Sequence, residues 1–295
     1  MKTVEYCTDT PVTRVGDIQV TSLLDGWLSL DGGAMYGIVP KTLWEKQLPG
    51  DGLNRVRMAM RPLLVRTPTH TLVVESGIGQ AILPDLHERY GIERTGPTLD
   101  ELVAAQGVDP SSVDTVACTH LHWDHSGGLC KLDGAEYVPS FPKAMYVVQK
   151  GEWEIAANPS NLHKASYAPE SLKPIEKRGQ LRTIKGGGEI VPGVSFDFTG
   201  GHTENHAVIW FESNGEYGVF FGDLVPTISH VPTAWISAYD INAGGSYEAR
   251  EALYPKVLER NARCFFYHEP EYPVGRLVKD GRKIRGEPIP RQDRA

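Results

Sequence analysis

The sequence predicts a four-layer αββα sandwich, in which two β-sheets face each other and helices cover their outer surfaces. Two observations lead to this fold class. Short runs of aromatic and β-branched residues, bounded by glycine or polar residues, recur along the chain and indicate buried strands. Helix-forming stretches with recognisable start signals lie between some of these runs.

Strands are predicted wherever such an apolar run stops at a turn signal. Residues 67–70, Thr-Pro-Thr-His, have the composition of a hairpin turn between two of these strands. The predicted strands cover residues 18–24, 63–66, 71–75, 113–118, 144–148, 194–199, 217–222 and 263–267.

Two helices have clear sequence signals. Thr98 and Glu101 form a capping box that predicts a helix start, and Gly107 predicts its end. A second helix is predicted over residues 246–261, with Ser246 as its N-cap.

We expect a single domain over residues 1–295, because no linker separates the candidate functional residues. Two segments in it are expected to form walls of a pocket. One is an N-terminal loop, about residues 26–60, in which the glycine-rich stretch 31–40 carries apolar side chains. The other is a cap at about residues 151–187, which has poor periodicity and several prolines.

Composition narrows the classes of partner. No apolar run of eighteen or more residues exists, so we expect no membrane partner. The N-terminus lacks the apolar core of a signal peptide, which favours a cytoplasmic location. The four cysteines show no paired spacing, which favours reduced thiols. A net charge of −7 argues against nucleic acid. The expected partner is a small-molecule substrate, and the sequence is also compatible with a homodimer.

Residues 120–125, with the sequence HLHWDH, place four metal-competent side chains directly after the predicted strand 113–118. Imidazole and carboxylate groups suit zinc and its first-row neighbours. Ligands on a helix would be spaced at i and i+4. The spacing of two, two and one instead favours a loop that leaves a strand and surrounds a metal ion.

Three further candidate ligands, His202, Asp223 and His268, also follow predicted strands. Each of them alone is a weak signal, because a histidine after a strand is commonly a structural residue. Their joint occurrence favours a site at which a rigid sheet aims all of these groups at one point.

This pattern resembles the metallo-beta-lactamase superfamily, and the resemblance covers most of the chain. The HxHxDH signature, a later Gly-His, a Gly-Asp and a final histidine match residues 120–125, 201–202, 222–223 and 268. The resemblance implies two divalent metal ions, with zinc expected. It assigns one ion to His120, His122 and His202. It assigns the other to Asp124, His125 and His268, with Asp223 bridging both.

The resemblance also implies the chemistry. Two metal ions that share a water lower its pKa and supply a hydroxide nucleophile near neutral pH. Asp223 would bridge the ions, and Asp124 would both ligate one ion and orient the hydroxide. These two carboxylates are the predicted catalytic residues.

Residues 32–37, 119–122 and 222–227 together look like the branch of quorum-quenching, YtnP-type lactonases and methyl-parathion-hydrolase-like enzymes. That branch implies opening of a lactone such as an N-acyl homoserine lactone. One departure is Pro226, which stands where well-described lactonases have a tyrosine that holds the lactone carbonyl. We expect His230 or Tyr239 to replace it. The predicted substrate contacts are Met35, Tyr36, Trp123, His230 and Tyr239.

Other functions are compatible with the same ligand set. A phosphotriesterase or carboxylesterase would use the same hydroxide on another electrophile. A glyoxalase-II-like thioesterase would need a basic cluster for glutathione, which the sequence does not identify. A non-enzymatic metal-binding protein is disfavoured, since inactive members of the superfamily usually lose ligands.

Overall fold

The computed structural model describes residues 4–80 and 84–290. Its strands are short, and most of them are buried on at least one face. In chain order they are β1 (Val12–Val15), β2 (Ile18–Ser22), β3 (Gly26–Asp31), β4 (Arg55–Met60), β5 (Leu63–Arg66), β6 (Thr71–Val74), β7 (Glu93–Arg94), β8 (Thr115–Ala117), β9 (Cys130–Asp133), β10 (Glu136–Pro139), β11 (Met145–Gln149), β12 (Leu181–Ile184), β13 (Gly188–Val191), β14 (Val194–Phe198), β15 (Ala207–Ser213), β16 (Glu216–Phe220), β17 (Arg263–Phe265), β18 (Val274–Asp280) and β19 (Lys283–Pro288).

The α-helices of the described residues are mostly short. They are α1 (Gly32–Tyr36), α2 (Lys41–Trp44), α3 (Pro84–Arg89), α4 (Leu99–Ala104), α5 (Trp123–Ser126), α6 (Lys150–Ala157), α7 (Lys173–Lys177) and α8 (Ala243–Glu259). None of the helices in this part of the chain combines the length and the apolar character that crossing a membrane requires.

The strands form two seven-stranded sheets. The first sheet has the order β1-β2-β5-β6-β8-β11-β12, and the second has the order β13-β14-β15-β16-β17-β18-β19. Strands β4, β3 and β7 form a small third sheet, and β9 pairs with β10. Strand β8 runs parallel to both of its neighbours, β6 and β11, in the middle of the first sheet.

Alternation along the strands explains the layers. In β5, Leu63 and Val65 belong to the central core that also contains Phe211 of the second sheet, whereas Leu64 packs in an outer cluster. That outer cluster includes residues of α4, α6 and α7, and α8 covers the outer face of the second sheet. Because successive side chains of a strand point to opposite faces, each sheet buries both of its faces. The predicted αββα sandwich is confirmed.

Several predicted elements are confirmed. Strand β5 has the predicted bounds, and residues 67–70 join it to β6 as a turn, with Arg66 opposite Thr71. Thr98 and Glu101 form the predicted capping box at the start of α4. The other predicted strands are present, and their ends differ from the predicted ones by at most two residues.

The prediction that residues from about 26 to 60 form an N-terminal loop is wrong. The segment consists of strand β3, helices α1 and α2, and strand β4. Asp31 caps α1 by accepting a hydrogen bond from the backbone N–H of Ala34, at 2.8 Å. A Cβ on Gly32 would lie 2.3 Å from the Trp44 ring, so glycine allows α1 to pack against α2. The glycines therefore serve close helix packing rather than a loop.

Two further boundaries differ from the prediction. Helix α8 begins at Ala243 rather than at Ser246, because the side chain of Asn242 accepts a hydrogen bond from the N–H of Gly245. The segment 151–187 is partly helical, and α6 and α7 pack against the outer face of the first sheet. Only the connection between those two helices reaches the pocket described below.

Candidate metal centre

The seven candidate ligands lie beyond the carboxyl ends of four strands. The loop after β8 carries residues 120–125, and α5 begins within it at Trp123. His202, Asp223 and His268 follow β14, β16 and β17, respectively. Both sheets therefore contribute side chains to one region, whereas the sequence analysis expected a single sheet to aim them.

The structure brings His120, His122 and His202 together, and we call these residues the three-histidine cluster. One ring nitrogen from each lies within 4.8 Å of the others. His202 Nε2 lies 3.1 Å from His122 Nδ1. The three imidazoles converge on one point, as the ligands of a single metal ion would.

A second group, the mixed cluster, consists of Asp124, His125 and His268. His268 Nε2 lies 3.5 Å from Asp124 Oδ2, and His125 Nε2 lies 3.8 Å from the same oxygen. The hydroxyl of Tyr267 donates a hydrogen bond to the backbone oxygen of Asp124, which fixes the loop beneath this cluster.

Asp223 lies between the two clusters, and each of its carboxylate oxygens faces one of them. Its Oδ1 is 3.2 Å from His125 Nε2 and 3.3 Å from His268 Nε2. Its Oδ2 is 3.4 Å from His202 Nε2. This placement fits a carboxylate that bridges two cations.

The donor atoms fit bound metal ions. Among the described residues, His120 Nε2, His125 Nε2 and Asp223 Oδ1 are buried and have no hydrogen-bond partner. Buried polar atoms without a partner are costly, so a set of them around one point needs an explanation. Imidazole nitrogens and carboxylate oxygens are suitable ligands for zinc and related divalent ions. Bound cations would satisfy these atoms.

The electrostatics of the centre differ among the ligand histidines. Although burial acts to lower them, the facing Asp223 holds the pKa values of His125 and His202 above their usual value. Burial, followed by the neighbouring imidazoles, holds the pKa values of His120 and His122 well below the usual range. Although burial acts to raise the pKa of Asp223, the facing His125, His268 and His202 hold it well below its usual value. Neutral imidazoles and an ionised carboxylate are the forms that bind metal.

Buried groups behind the ligands fix the orientation of the rings. His202 Nδ1 donates to Asp240 Oδ1 at 2.9 Å, and His268 Nδ1 donates to the backbone oxygen of Ala59 at 2.8 Å. His120 Nδ1 donates at 3.0 Å to Thr119 Oγ1. These contacts leave Nε2 of each ring free to ligate.

Glu75 is a buried carboxylate that the sequence analysis missed. Its Oε1 accepts hydrogen bonds from the backbone N–H of Thr119, at 2.9 Å, and from Thr119 Oγ1, at 2.6 Å. Its Oε2 lies 3.6 Å from His125 Nδ1. The only sequence signal is an acidic residue at the end of an apolar strand, and that signal does not say what the residue contacts.

A cavity of about 360 Å³ opens above the centre. Candidate ligands form its floor, and its walls are largely apolar. Met35, Trp123 and Tyr239, which were predicted to contact substrate, all line it, as does Pro226. Leu30, Leu162 and Tyr167 also line it and fall within the two segments predicted to form its walls, whereas Tyr90 and Ile241 lie outside those segments.

Tyr36 and His230 do not line the cavity, which corrects their predicted role in substrate contact. Both are fully buried, and their rings stack with centroids 4.4 Å apart. The Tyr36 hydroxyl shares a hydrogen bond with Ser229 Oγ at 2.7 Å, and His230 Nε2 donates to the backbone oxygen of Met35 at 3.0 Å. They support the wall from behind, because their polar atoms are used in holding α1 against the loop after β16.

The profile of the metallo-beta-lactamase superfamily matches residues 62–268, which include all seven candidate ligands. The chain belongs to this superfamily. The αββα sandwich of this metallo-beta-lactamase superfamily member is therefore the fold of its family.

Solved structures with the same fold include relatives of named function. A probable metal-dependent hydrolase from Staphylococcus aureus is 30% identical, covers 94% of this chain and 98% of its own, and superposes with a TM-score of 0.85. AidC, a dizinc quorum-quenching lactonase, superposes with a TM-score of 0.80 at 18% identity, covering 97% of this chain and 99% of its own. At that identity the second likeness establishes the fold alone.

A sequence relative is the N-acyl homoserine lactonase AiiA of Bacillus thuringiensis subsp. kurstaki. It is 32% identical over 107 residues, which amount to 36% of this chain and 36% of the relative. The match thus spans about a third of the length of this curated relative.

Proposed function

We propose that this superfamily member is a metal-dependent hydrolase with two divalent ions, and that its substrate is a lactone such as an N-acyl homoserine lactone. The observation that carries the two-ion proposal is the placement of Asp223, with one carboxylate oxygen facing each ligand cluster at 3.2–3.4 Å. Zinc is the metal we expect, because availability and ligand geometry decide occupancy more than intrinsic affinity does.

The residues of the chain have distinct roles in this proposal. The three-histidine cluster holds one ion, the mixed cluster holds the other, and Asp223 binds both. When bound, such a pair of ions lowers the pKa of water and polarises a carbonyl oxygen. Asp124 lines the cavity floor, where its carboxylate could accept the proton of a water that adds to the lactone carbonyl carbon and pass it to the ring oxygen as the ring C–O bond breaks.

The lactone proposal rests on the relatives and on the cavity wall. Lactonases are among both the sequence relatives and the structural neighbours. Met35, Trp123 and Ile241 give the cavity an apolar lining, which suits a neutral substrate with an acyl tail.

In this proposal, Tyr239 holds the lactone carbonyl, which is the role of the tyrosine that well-described lactonases have at the position of Pro226. Its side chain lines the cavity, whereas His230, the other candidate, is buried behind the wall. Burial raises the pKa of Tyr239 to about 12, so its phenol stays protonated and can donate a hydrogen bond to a substrate carbonyl.

A substrate panel tests the proposed reaction. Zinc-loaded protein is assayed with one acyl homoserine lactone, one aryl ester, one phosphotriester and one glutathione thioester. We expect the highest kcat/KM on the lactone. An ester, phosphotriester or thioester that is turned over much faster than every lactone tried would contradict the lactone proposal. The assignment as a metal-dependent hydrolase would then still hold.

Two variants test the contacts with substrate. Tyr239→Phe should lower lactone kcat/KM about tenfold, the effect of one lost hydrogen bond. Met35→Ala should weaken long-chain lactones more than short ones, since it removes apolar wall surface. Ile38→Ala is the matched control, because Ile38 follows the same helix but is 89% exposed. Equal losses for long and short lactones in Met35→Ala would refute the assigned acyl wall.

A further inference from the structure

Glu152 of helix α6 is a fully buried carboxylate whose hydrogen bonds reach three separate segments. Its Oε1 accepts from the backbone N–H of Leu121 at 3.0 Å and from the hydroxyl of Tyr167 at 2.9 Å. Its Oε2 accepts from Thr203 Oγ1 at 2.8 Å. One side chain thus joins two ligand loops and the connection between α6 and α7.

The partners of Glu152 are adjacent to one ligand cluster. Leu121 lies between His120 and His122 in the sequence, and Thr203 follows His202 directly. Hydrogen bonds at these positions fix the loops on both sides of the three-histidine cluster. None of these bonded groups is next in sequence to His125, Asp223 or His268.

The third partner, Tyr167, connects the same carboxylate to the cavity. Its ring lies edge-on to His122, with centroids 5.1 Å apart, and it lines the cavity wall. A molecule in the cavity that contacts Tyr167 therefore contacts a side chain that is hydrogen-bonded to Glu152.

Helix α6 has other means of holding its position. Trp153 and Ala156 of this helix are buried in the apolar cluster on the outer face of the first sheet. Burying a carboxylate is unfavourable unless hydrogen bonds and nearby positive charge offset it, and burial raises the pKa of Glu152. A buried Glu152 is therefore not needed to dock the helix, whereas its three bonded partners all surround the three-histidine cluster.

We propose that Glu152 is a positioning residue that sets the geometry of the three-histidine cluster and ties it to the cavity wall at Tyr167. The inference rests on the proposed function in one respect, the assignment of this cluster as a metal site. It predicts a selective effect, because loss of Glu152 should loosen one ligand cluster and leave the mixed cluster in place.

Cadmium binding tests this selectivity without any substrate. Chelator competition gives the affinity of each site, and cadmium-113 NMR gives one resonance for each occupied site. In Glu152→Ala we expect the affinity of the three-histidine site to fall about 10–100-fold, the usual effect of losing a group that orients ligands. The resonance of the mixed cluster should persist.

Conservative and matched variants separate positioning from general damage. Glu152→Gln should restore affinity to within a few-fold, because its amide keeps the shape and the Thr203 hydroxyl can rotate to accept a hydrogen bond. Glu154→Ala is the matched control on the same helix, since Glu154 is exposed and lies 3.8 Å from Lys150. That variant should bind cadmium as the wild type does.

Single-bond variants decide the question if Glu152→Ala fails to fold. Thr203→Val removes one bond beside His202 and should weaken the three-histidine site several-fold. Tyr167→Phe keeps the bonds to both ligand loops and should leave cadmium affinity within about twofold. Unchanged affinity in Glu152→Ala or in Thr203→Val, or equal weakening of both sites, would overturn the positioning role. A wild-type protein with only one cadmium resonance would instead contradict the proposed two-ion centre.

Discussion

Four of the proposed ligands lie within one six-residue segment after β8, whereas the other three follow three different strands of the second sheet. The two halves of the centre are consequently held in different ways. Behind the compact half, Glu75 contacts Thr119, which bonds to His120, and also faces His125. One carboxylate therefore orients ligands of both clusters.

Behind the dispersed half, each ligand has its own support. Asp240 orients His202, and the backbone oxygen of Ala59 orients His268. His206 Nε2 accepts a hydrogen bond from the backbone N–H of Asp223 at 3.3 Å. A substitution of Glu75 should therefore disturb several ligands, whereas a substitution of Asp240 or His206 should disturb a single ligand.

The largest effect is expected where the two halves meet. Asp223→Ala removes the carboxylate whose two oxygens face the two clusters, so both ions should bind weakly and turnover should fall at least about a thousandfold, equivalent to several kcal/mol of transition-state stabilisation. Elemental analysis and kcat/KM measure this. Asp197→Ala, at an aspartate of β14 that pairs with Lys256 on the surface, serves as the control. Retention of two ions in Asp223→Ala would show that the bridge is misassigned.

Glu75→Gln should have the next largest effect, because it disturbs two ligands. The new amide would present an N–H to His125 Nδ1, which favours the tautomer whose Nε2 carries the proton and cannot ligate. The uncharged amide oxygen would also accept more weakly from Thr119, whose hydroxyl orients His120, so metal affinity should fall about 10–100-fold at both sites. Chelator competition measures this, and an effect confined to one site would contradict the shared role.

Asp240→Ala should have a smaller and more local effect. It removes the partner of His202 Nδ1 and also the acceptor of a hydrogen bond from Ser246 Oγ. We expect about tenfold weaker binding at the three-histidine site, at the lower end for such supporting groups, with the mixed cluster unchanged. If Asp240→Ala weakened both sites as strongly as Glu75→Gln, the contrast between the two halves would be wrong.

His230 provides the smallest prediction, outside the ligand set. Burial, followed by the charge of Arg250, lowers its pKa to about 3, below an unfolded value near 6.5. Since the unfolded state binds the proton more readily, the stability from this neutral histidine is present above about pH 6.5 and declines as the pH falls.

At pH 5 the wild type should lose about 2 kcal/mol of unfolding free energy through this group relative to pH 7. His230→Asn, which cannot titrate there, should lose less. Chemical denaturation at both pH values measures the difference, and His70→Asn, at the surface turn between β5 and β6, is the control. Equal losses in His230→Asn and the wild type would contradict the buried neutral state.

The amino-acid sequence by itself determined the layers and the candidate ligands. Apolar runs mark the strands, and a polar, metal-competent residue that follows a strand must emerge at a sheet edge. These are local properties, so the structure could bring all seven side chains together as the order of the strands implied. The segment 31–40 was misread because glycine in α1 serves contact with Trp44, a partner that local composition does not reveal.

Only the tertiary structure decided which groups support the centre and which face the cavity. Glu75 lies 44 residues from Thr119, and Asp240 lies 38 residues from His202, so no spacing rule connects them. Met35 and Tyr36 are neighbours on one short helix, yet Met35 lines the cavity and Tyr36 is buried behind it. Adjacent residues of a helix point in different directions, and the packing of α1 against α2 and His230 decides which of them reaches the substrate side.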